Sequence, residues 1–75
     1  MPTIFLYDGF RFFFYLNEGD PREPMHVHVM KDGCEVTFWL DAEASVAASR
    51  GFDARTVRRL RAVATARREL IVGAW

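Results

Sequence analysis

Four short segments rich in β-branched and aromatic residues open the chain as two pairs, and an Asp-Gly dipeptide joins the members of each pair. The segments are residues 3–7, 10–15, 27–31 and 34–40. A two-residue Asp-Gly loop accepts the positive φ of the tight turns that connect antiparallel strands. Residues 17–24, between the pairs, hold two prolines and a glycine, which is typical of an exposed loop. The pattern predicts two β-hairpins.

In the last third of the chain, the apolar residues recur at the spacing of a helix. Asp53 is a candidate N-cap, and good helix formers follow it to about Val72. Residues 41–50 are rich in alanine and are followed by Gly51, so they predict a short helical connector or a turn. Helical spacing after Asp53 places a wide apolar stripe on one face, formed by Val57, Leu60, Val63, Ala64, Leu70, Ile71 and Ala74.

These elements predict one α+β domain over residues 1–75. Its expected architecture is a four-stranded antiparallel sheet of two β-hairpins, with one long C-terminal helix packed on one face and a short helical connector before it. Arg67 falls near the middle of the apolar stripe. Its side chain either extends to water from the helix end or reaches across the sheet edge toward a carboxylate or a substrate anion.

Both histidines of the chain lie on the predicted third strand, two residues apart. Because successive strand side chains point to opposite faces, His26 and His28 share one face. A two-residue turn at Asp32-Gly33 pairs His28 with Thr37 and His26 with Trp39. The helix-covered face is expected to hold Phe5, Phe10, Phe12, Phe14, Val27, Val29, Val36 and Phe38. The histidine pair is therefore expected on the face that the helix leaves uncovered.

This uncovered face would combine the histidines with apolar, aromatic and polar side chains, namely Ile4, Leu6, Arg11, Phe13, Tyr15, Glu35, Thr37 and Trp39. One helix cannot cover both faces of a four-stranded sheet, so we expect this face to be open. A large exposed apolar area is typical of an interaction surface. We therefore predict a homodimer or a protein partner on it.

The formal net charge is zero, but the charges are unevenly distributed. Residues 1–49 carry three cations against eight carboxylates, and residues 50–75 carry seven arginines against two carboxylates. The helix arginines lack the acidic i,i+4 partners that ordinary solvent-facing helices use. We expect them, with Arg58 and Arg59 as the candidates for phosphate contact, to bind a nucleic-acid backbone or an acidic partner.

Cys34 is the single cysteine, so no disulfide can form within one chain. No apolar run approaches the roughly 18 residues of a membrane span, and no export signal opens the chain. We expect a bacterial cytoplasmic protein without membrane association. The glycines are isolated and Cys34 has no paired histidine, which excludes phosphate-cradling glycine loops, dinucleotide fingerprints and thiol proteases.

The histidine pair suits a metal-independent ribonuclease, because imidazole accepts and donates protons near neutral pH. In this hypothesis His26 and His28 are the catalytic acid and base. The substrate would be held by Arg11 or Lys31 on the phosphate and by Tyr15 or Trp39 stacked on a base. The alternative is structural, with both histidines packed as half-exposed strand residues against Thr37 and Trp39.

A metal site is less favoured. Two histidines on one strand face supply two nitrogen ligands, and a zinc site needs three or four protein ligands. The chain has no further histidine, and the predicted register turns Cys34 to the opposite face. We therefore predict no metal and no cofactor within one chain, with a metal held across a dimer as the remaining alternative.

Six separated motifs occur in order along nearly the whole chain. They are Met1-Pro2-Thr3-Ile4-Phe5, the run Gly-Phe-Arg-Phe-Phe-Phe-Tyr at residues 9–15, Pro24-x-His26-Val27-His28-Val29, Gly33-Cys34-Glu35, Phe38-Trp39-Leu40 and Arg50-Gly51-Phe52. In these motifs the chain resembles the bacterial family known as domain of unknown function 4160. It departs from the family at Met25, where relatives usually have a second proline.

The resemblance implies one half of a two-gene bacterial module of the toxin–antitoxin kind. A small antitoxin-like partner would bind the open aromatic face or the arginine-rich helix, and the histidines would carry any activity. We therefore predict a toxin-like component that acts on RNA or on translation. The alternative is a non-catalytic module that dimerises or binds a partner through the sheet face.

Overall fold

The computed structural model describes residues 3–14, 24–40 and 44–75. Its elements are β1 (Thr3–Tyr7), β2 (Phe10–Phe13), β3 (His26–Lys31), β4 (Cys34–Trp39), β5 (Ser45–Arg50), α1 (Ala54–Ala66) and α2 (Arg68–Ala74). The strands form one antiparallel sheet in the order β1-β2-β3-β4-β5. The predicted α+β class with an antiparallel sheet is confirmed, whereas the prediction of four strands and one long helix is wrong.

Both Asp-Gly turns form the predicted hairpins. Asp8 and Asp32 have φ values of 49° and 52°, and Gly9 and Gly33 follow them with 81° and 80°. Positive φ at both central residues defines a type I′ turn, whose twist matches that of the flanking strands. β3 and β4 consequently pair in the register that the sequence predicts.

The predicted helical connector at residues 41–50 is replaced by a strand where the structure describes it. Residues 41–43 lie outside the described residues, and Ser45–Arg50 forms β5. β5 pairs with β4, with a bulge between Thr37 and Phe38. Alanine favours a helix locally, but the outer edge of β4 presents backbone groups that need hydrogen-bond partners. Pairing with this edge therefore overrides the local preference.

The C-terminal helix is interrupted at Arg67, which has φ −108° and ψ 22°. The predicted N-cap is confirmed, because the Thr56 N–H donates to Asp53 Oδ1 over 2.7 Å. Arg67 is exposed, in agreement with the predicted course to water from a helix end. Its guanidinium carbon lies 4.8 Å from the ring centre of Phe5 and 5.6 Å from that of Tyr7. Arg67 thus covers the β1 rings in cation–π geometry.

The core lies between the helices and one face of the sheet. It consists of Phe10, Phe12, Phe14, Val27, Val29, Val36, Phe38, Leu40, Ala44, Leu60, Ala64 and Ile71. The core positions predicted on β2, β3 and β4 are confirmed. Phe5 packs against this core but is only half-buried, and its ring stacks on Phe12 with 4.4 Å between ring centres. The histidines consequently lie on the face away from the helices.

Candidate functional site

The face of the sheet away from the helices is not open at its centre. His26 lies opposite Trp39 and His28 opposite Thr37, as predicted. However, the two histidines are only 9% and 7% exposed, and Phe13 beside them is fully buried. The prediction of an open face is therefore wrong at this position, and the histidines are more buried than the half-exposed pair of the structural alternative.

Aromatic rings surround the histidine pair. The His26 and His28 rings meet edge to face, with 5.2 Å between their centres. Trp39 and Trp75 lie 5.6 Å and 5.5 Å from His26, and Phe13 lies 5.6 Å from His28. Rings at these separations and tilts pack favourably. Trp75, which follows α2, therefore forms part of the enclosure of the histidine pair.

Trp75 is the contact that sequence reasoning missed. It follows the end of α2, where no apolar period assigns it to a face of the sheet. Its ring also meets Phe14 edge to face at 5.0 Å, so it contacts both a core residue and His26. The sequence shows only that Trp75 has a large apolar ring, and this does not identify the residues that the ring contacts.

Each histidine has a hydrogen-bonding partner at Nδ1. His26 Nδ1 lies 2.9 Å from the Pro24 carbonyl oxygen. Because a carbonyl can only accept, His26 Nδ1 carries the proton and donates it. His28 Nδ1 lies 2.9 Å from Thr37 Oγ1 and 3.5 Å from Glu35 Oε2. The β4 side chains thus hold the His28 ring in orientation.

A small cavity of about 130 Å³ lies beside the polar side of this cluster. It is lined by Glu35, Thr37, Ala48, Ser49 and Arg50. Glu35 and Arg50 lie opposite each other in the β4–β5 pairing, and Arg50 is exposed. An imidazole held by a carboxylate near an exposed guanidinium is an arrangement that can move a proton close to a bound anion.

Two further predicted site residues lie at or near the histidines. Trp39 contacts His26, as described above. The guanidinium of Arg11 lies 4.8 Å from the ring centre of Phe13, which in turn packs on His28, and Arg11 Nε donates to Thr3 Oγ1 over 2.7 Å. Arg11 is therefore one ring away from the histidines. Tyr15 lies outside the described residues.

The other predicted phosphate-binding residues lie apart from the histidine pair. Lys31 Nζ donates to the Asp8 carbonyl over 3.2 Å and lies 4.6 Å from the ring centre of Phe10, which belongs to the helix-covered face. Arg59 forms a 2.7 Å ion pair with Asp8. Hydrogen bonds to Tyr7 and to Asp8 raise the pKa of Arg59 above its ordinary value. Arg58 is exposed on α1. The predicted residues therefore do not form one site.

A group of three or more His, Cys, Asp or Glu side chains able to hold a metal ion is absent from residues 3–14, 24–40 and 44–75. In the same described residues, no helix is long and apolar enough to cross a membrane.

Fold and site together define a small α+β protein whose five-stranded antiparallel sheet carries a buried histidine pair. The model of the family described as Domain of unknown function (DUF4160) matches residues 9–75, so the chain belongs to this family. The resemblance inferred from the motifs is confirmed. Comparisons with curated proteins and with solved structures found no match. The family assignment therefore carries no activity with it.

Proposed function

We propose that this protein is a toxin-like component of a bacterial toxin–antitoxin module that acts on RNA or on the translation apparatus. The observation that carries the proposal is the setting of His28. Its Nδ1 contacts Thr37 and Glu35, and both of these residues also line the cavity that includes Arg50.

His28 is the proposed proton-transfer residue. Imidazole can act as a general acid or base, and a carboxylate near one ring nitrogen fixes the orientation of the ring. Glu35 would supply this carboxylate, and Thr37 would fix the ring plane. Arg50 at the same cavity would attract a phosphate group of RNA.

His26 has a positioning role in this proposal. Its Nδ1 proton is donated to the Pro24 carbonyl, and its ring packs between Trp39 and His28. Residues with such packing hold a neighbouring group in place without contacting the substrate. The hypothesis that His26 and His28 are the catalytic acid and base is thereby narrowed to one catalytic and one supporting histidine.

The test compares the wild type with His28→Asn in an RNA cleavage assay and in cell-free translation. Asparagine keeps a donor near Thr37 but cannot transfer a proton at neutral pH. We expect the activity to fall at least about 100-fold, because general acid–base catalysis contributes factors of this size. Circular dichroism checks that the variant is folded.

Lys31→Ala is the matched control, because Lys31 lies on the same strand but contacts the helix-covered face. It should leave the activity within about twofold of the wild type, since no proton-transfer group is removed. A folded His28→Asn protein that inhibits translation as strongly as the wild type would refute the role of His28.

The second candidate function is a non-catalytic module that binds a protein partner or dimerises. The observation that favours it is the burial of both histidines, at 9% and 7% exposure. In this case the pair stabilises the sheet face, and the purified protein leaves translation and RNA unchanged. Co-expression with the small protein encoded next to it, followed by sizing of the complex, would then find a stable complex without toxicity.

A further inference from the structure

β5 forms one edge of the sheet. Within the described part of the chain it pairs with β4 and with no other strand. Residues 46–50 of β5 are all exposed, including Val46 at 46%. In an antiparallel ladder, alternate residues direct their N–H and C=O groups away from the paired neighbour. Such an edge is a template for a further strand.

The arginines of α1 and α2 lie on two sides of the helix layer. On one side Arg59 and Arg67 contact β1, through Tyr7, Asp8 and Phe5. On the other side Arg61 Nε donates to the Ala44 carbonyl over 2.6 Å, and Arg68 Nη2 donates to the Leu40 carbonyl over 3.1 Å. This second side therefore lies beside Leu40, which follows β4, and Ala44, which precedes β5.

Arg58 belongs to the β5 side of the helix layer. It precedes Arg61 by three residues, which places the two side chains next to each other on the helix surface. It is exposed, and with Arg61, Ala62, Thr65 and Ala66 it lines a shallow cavity of about 460 Å³. Together with Arg61, which is also exposed, it gives the helix side of this edge a positive charge.

We propose that β5 receives an acidic, extended segment of a partner protein as a sixth strand. The backbone of the segment would pair with residues 46–50, and its carboxylates, on the side of the helix layer, would contact Arg58 and Arg61. Backbone pairing at a sheet edge supplies affinity, and alternate side chains supply specificity. The proposal concerns a surface outside the histidine cluster, so it holds whether or not His28 transfers protons.

The charges disfavour a second copy of the chain as the occupant of this edge. Two antiparallel β5 strands related by a two-fold axis perpendicular to the sheet would keep both helix layers on the same side of the joint sheet. The Arg58 and Arg61 sides of the two copies would then face each other. Opposed like charges are costly in an interface, whereas an acidic segment complements them.

The experiment uses the hexapeptide Val-Glu-Val-Glu-Val-Glu with blocked ends, which has the length of β5. Its matched control is Val-Lys-Val-Lys-Val-Lys. Amide hydrogen exchange is followed residue by residue. We expect the acidic peptide to slow exchange at alternate amides of residues 46–50 several-fold, with amides of β1 unchanged, because β1 is the other edge and lies under Arg59 and Arg67. The basic peptide should leave β5 unchanged.

The role of the charge is tested with Arg58→Glu against Arg55→Glu, which makes the same charge change on α1 outside the cavity lining. We expect Arg58→Glu to weaken peptide binding about tenfold and Arg55→Glu to weaken it about twofold or less. Rising salt should also weaken the binding of the acidic peptide to the wild type.

Four outcomes would overturn the proposal. The first is that the acidic peptide leaves amide exchange in β5 unchanged. The second is that both peptides protect the β5 amides equally. The third is that a single-stranded RNA oligonucleotide protects the β5 amides and the acidic peptide does not, which would assign the edge to nucleic acid. The fourth is that protection of the β5 amides rises with protein concentration in the absence of peptide, which would assign the edge to a second copy of the chain.

Discussion

His28 and His26 acquire their neighbours from two local features, the alternation of strand side chains and the register imposed by the turn before β4. The predicted pairings with Thr37 and Trp39 are therefore confirmed. The burial of both rings was not predictable in the same way. It depends in part on Trp75, which is nearly fifty residues away in the sequence and reaches His26 through the helix layer.

Asp53 provides a pH-dependent contribution to stability at the start of α1. Hydrogen bonds from the Thr56 side chain and from the Thr56 backbone N–H lower the pKa of Asp53 below its ordinary value. A lowered pKa in the folded state means that folding favours the charged carboxylate. The contribution is therefore present above the unfolded-state pKa of roughly 3.9 and is lost as the pH falls through the folded-state pKa.

Asp53→Asn should lower the free energy of unfolding at pH 7, because the amide keeps the cap acceptor but removes the charge at the helix N-terminus. The difference from the wild type should shrink as the pH falls below about 4. Urea unfolding at pH 7 and pH 3, followed by circular dichroism, measures both values. Asp32→Asn in the second turn is the control. A difference that stays constant with pH would contradict the assigned cause.

At the scale of the elements, β5 and the helix break at Arg67 are the two departures from the sequence-based prediction. Both involve contacts with distant parts of the chain. β5 forms because the edge of β4 lies beside it, and Arg67 contacts the rings of Phe5 and Tyr7 on the first strand. Helix propensity and the helical spacing of apolar residues reflect interactions between residues three or four positions apart. They contain no information about contacts with distant strands.

Gly51 connects β5 to α1 at a φ of +92°. A Cβ atom there would lie 2.6 Å from Cys34 Sγ, whereas one at Gly33, with a φ of +80°, would meet nothing within 4 Å. Both substitutions to alanine incur left-handed backbone strain of about 1–2 kcal/mol. Gly51→Ala should lower the free energy of unfolding by about 1–3 kcal/mol more than Gly33→Ala, because it also overpacks the site.

Urea unfolding of the two glycine variants measures this difference. Combining Gly51→Ala with Cys34→Ala removes the sulfur, so it should recover part of the additional loss. Equal losses in Gly51→Ala and Gly33→Ala would show that the approach to Cys34 does not matter.

At the scale of the whole molecule, Trp75 links the helix layer to the histidine face. It packs on Phe14 in the core and on His26 at the other face, so it spans the end of the sheet. The charged residues are also organised at this scale. The β1 side of the helix layer has its arginines in contact with rings and a carboxylate, whereas the β5 side combines a sheet edge with exposed Arg58 and Arg61.

Trp75→Ala should lower the free energy of unfolding by about 2 kcal/mol, less than for a fully buried tryptophan because Trp75 is half-buried. It should also make His26 more reactive toward diethyl pyrocarbonate, since one of its covering rings is removed. Leu70→Ala is the control, because Leu70 is 54% exposed and its loss should cost about 0.5 kcal/mol. Unchanged His26 reactivity in a folded Trp75→Ala protein would contradict the proposed enclosure.

The sequence by itself determined the two hairpins, the β3–β4 register, the Asp53 cap, the core faces of β2, β3 and β4, and the family. These features depend on turn residues and on side-chain alternation over a few positions, so short-range physics suffices. Only the tertiary structure decided that residues 45–50 form a strand, that the helix breaks at Arg67, and that Trp75 contacts the histidines. Each of these depends on backbone groups or rings brought close by the fold from distant parts of the chain.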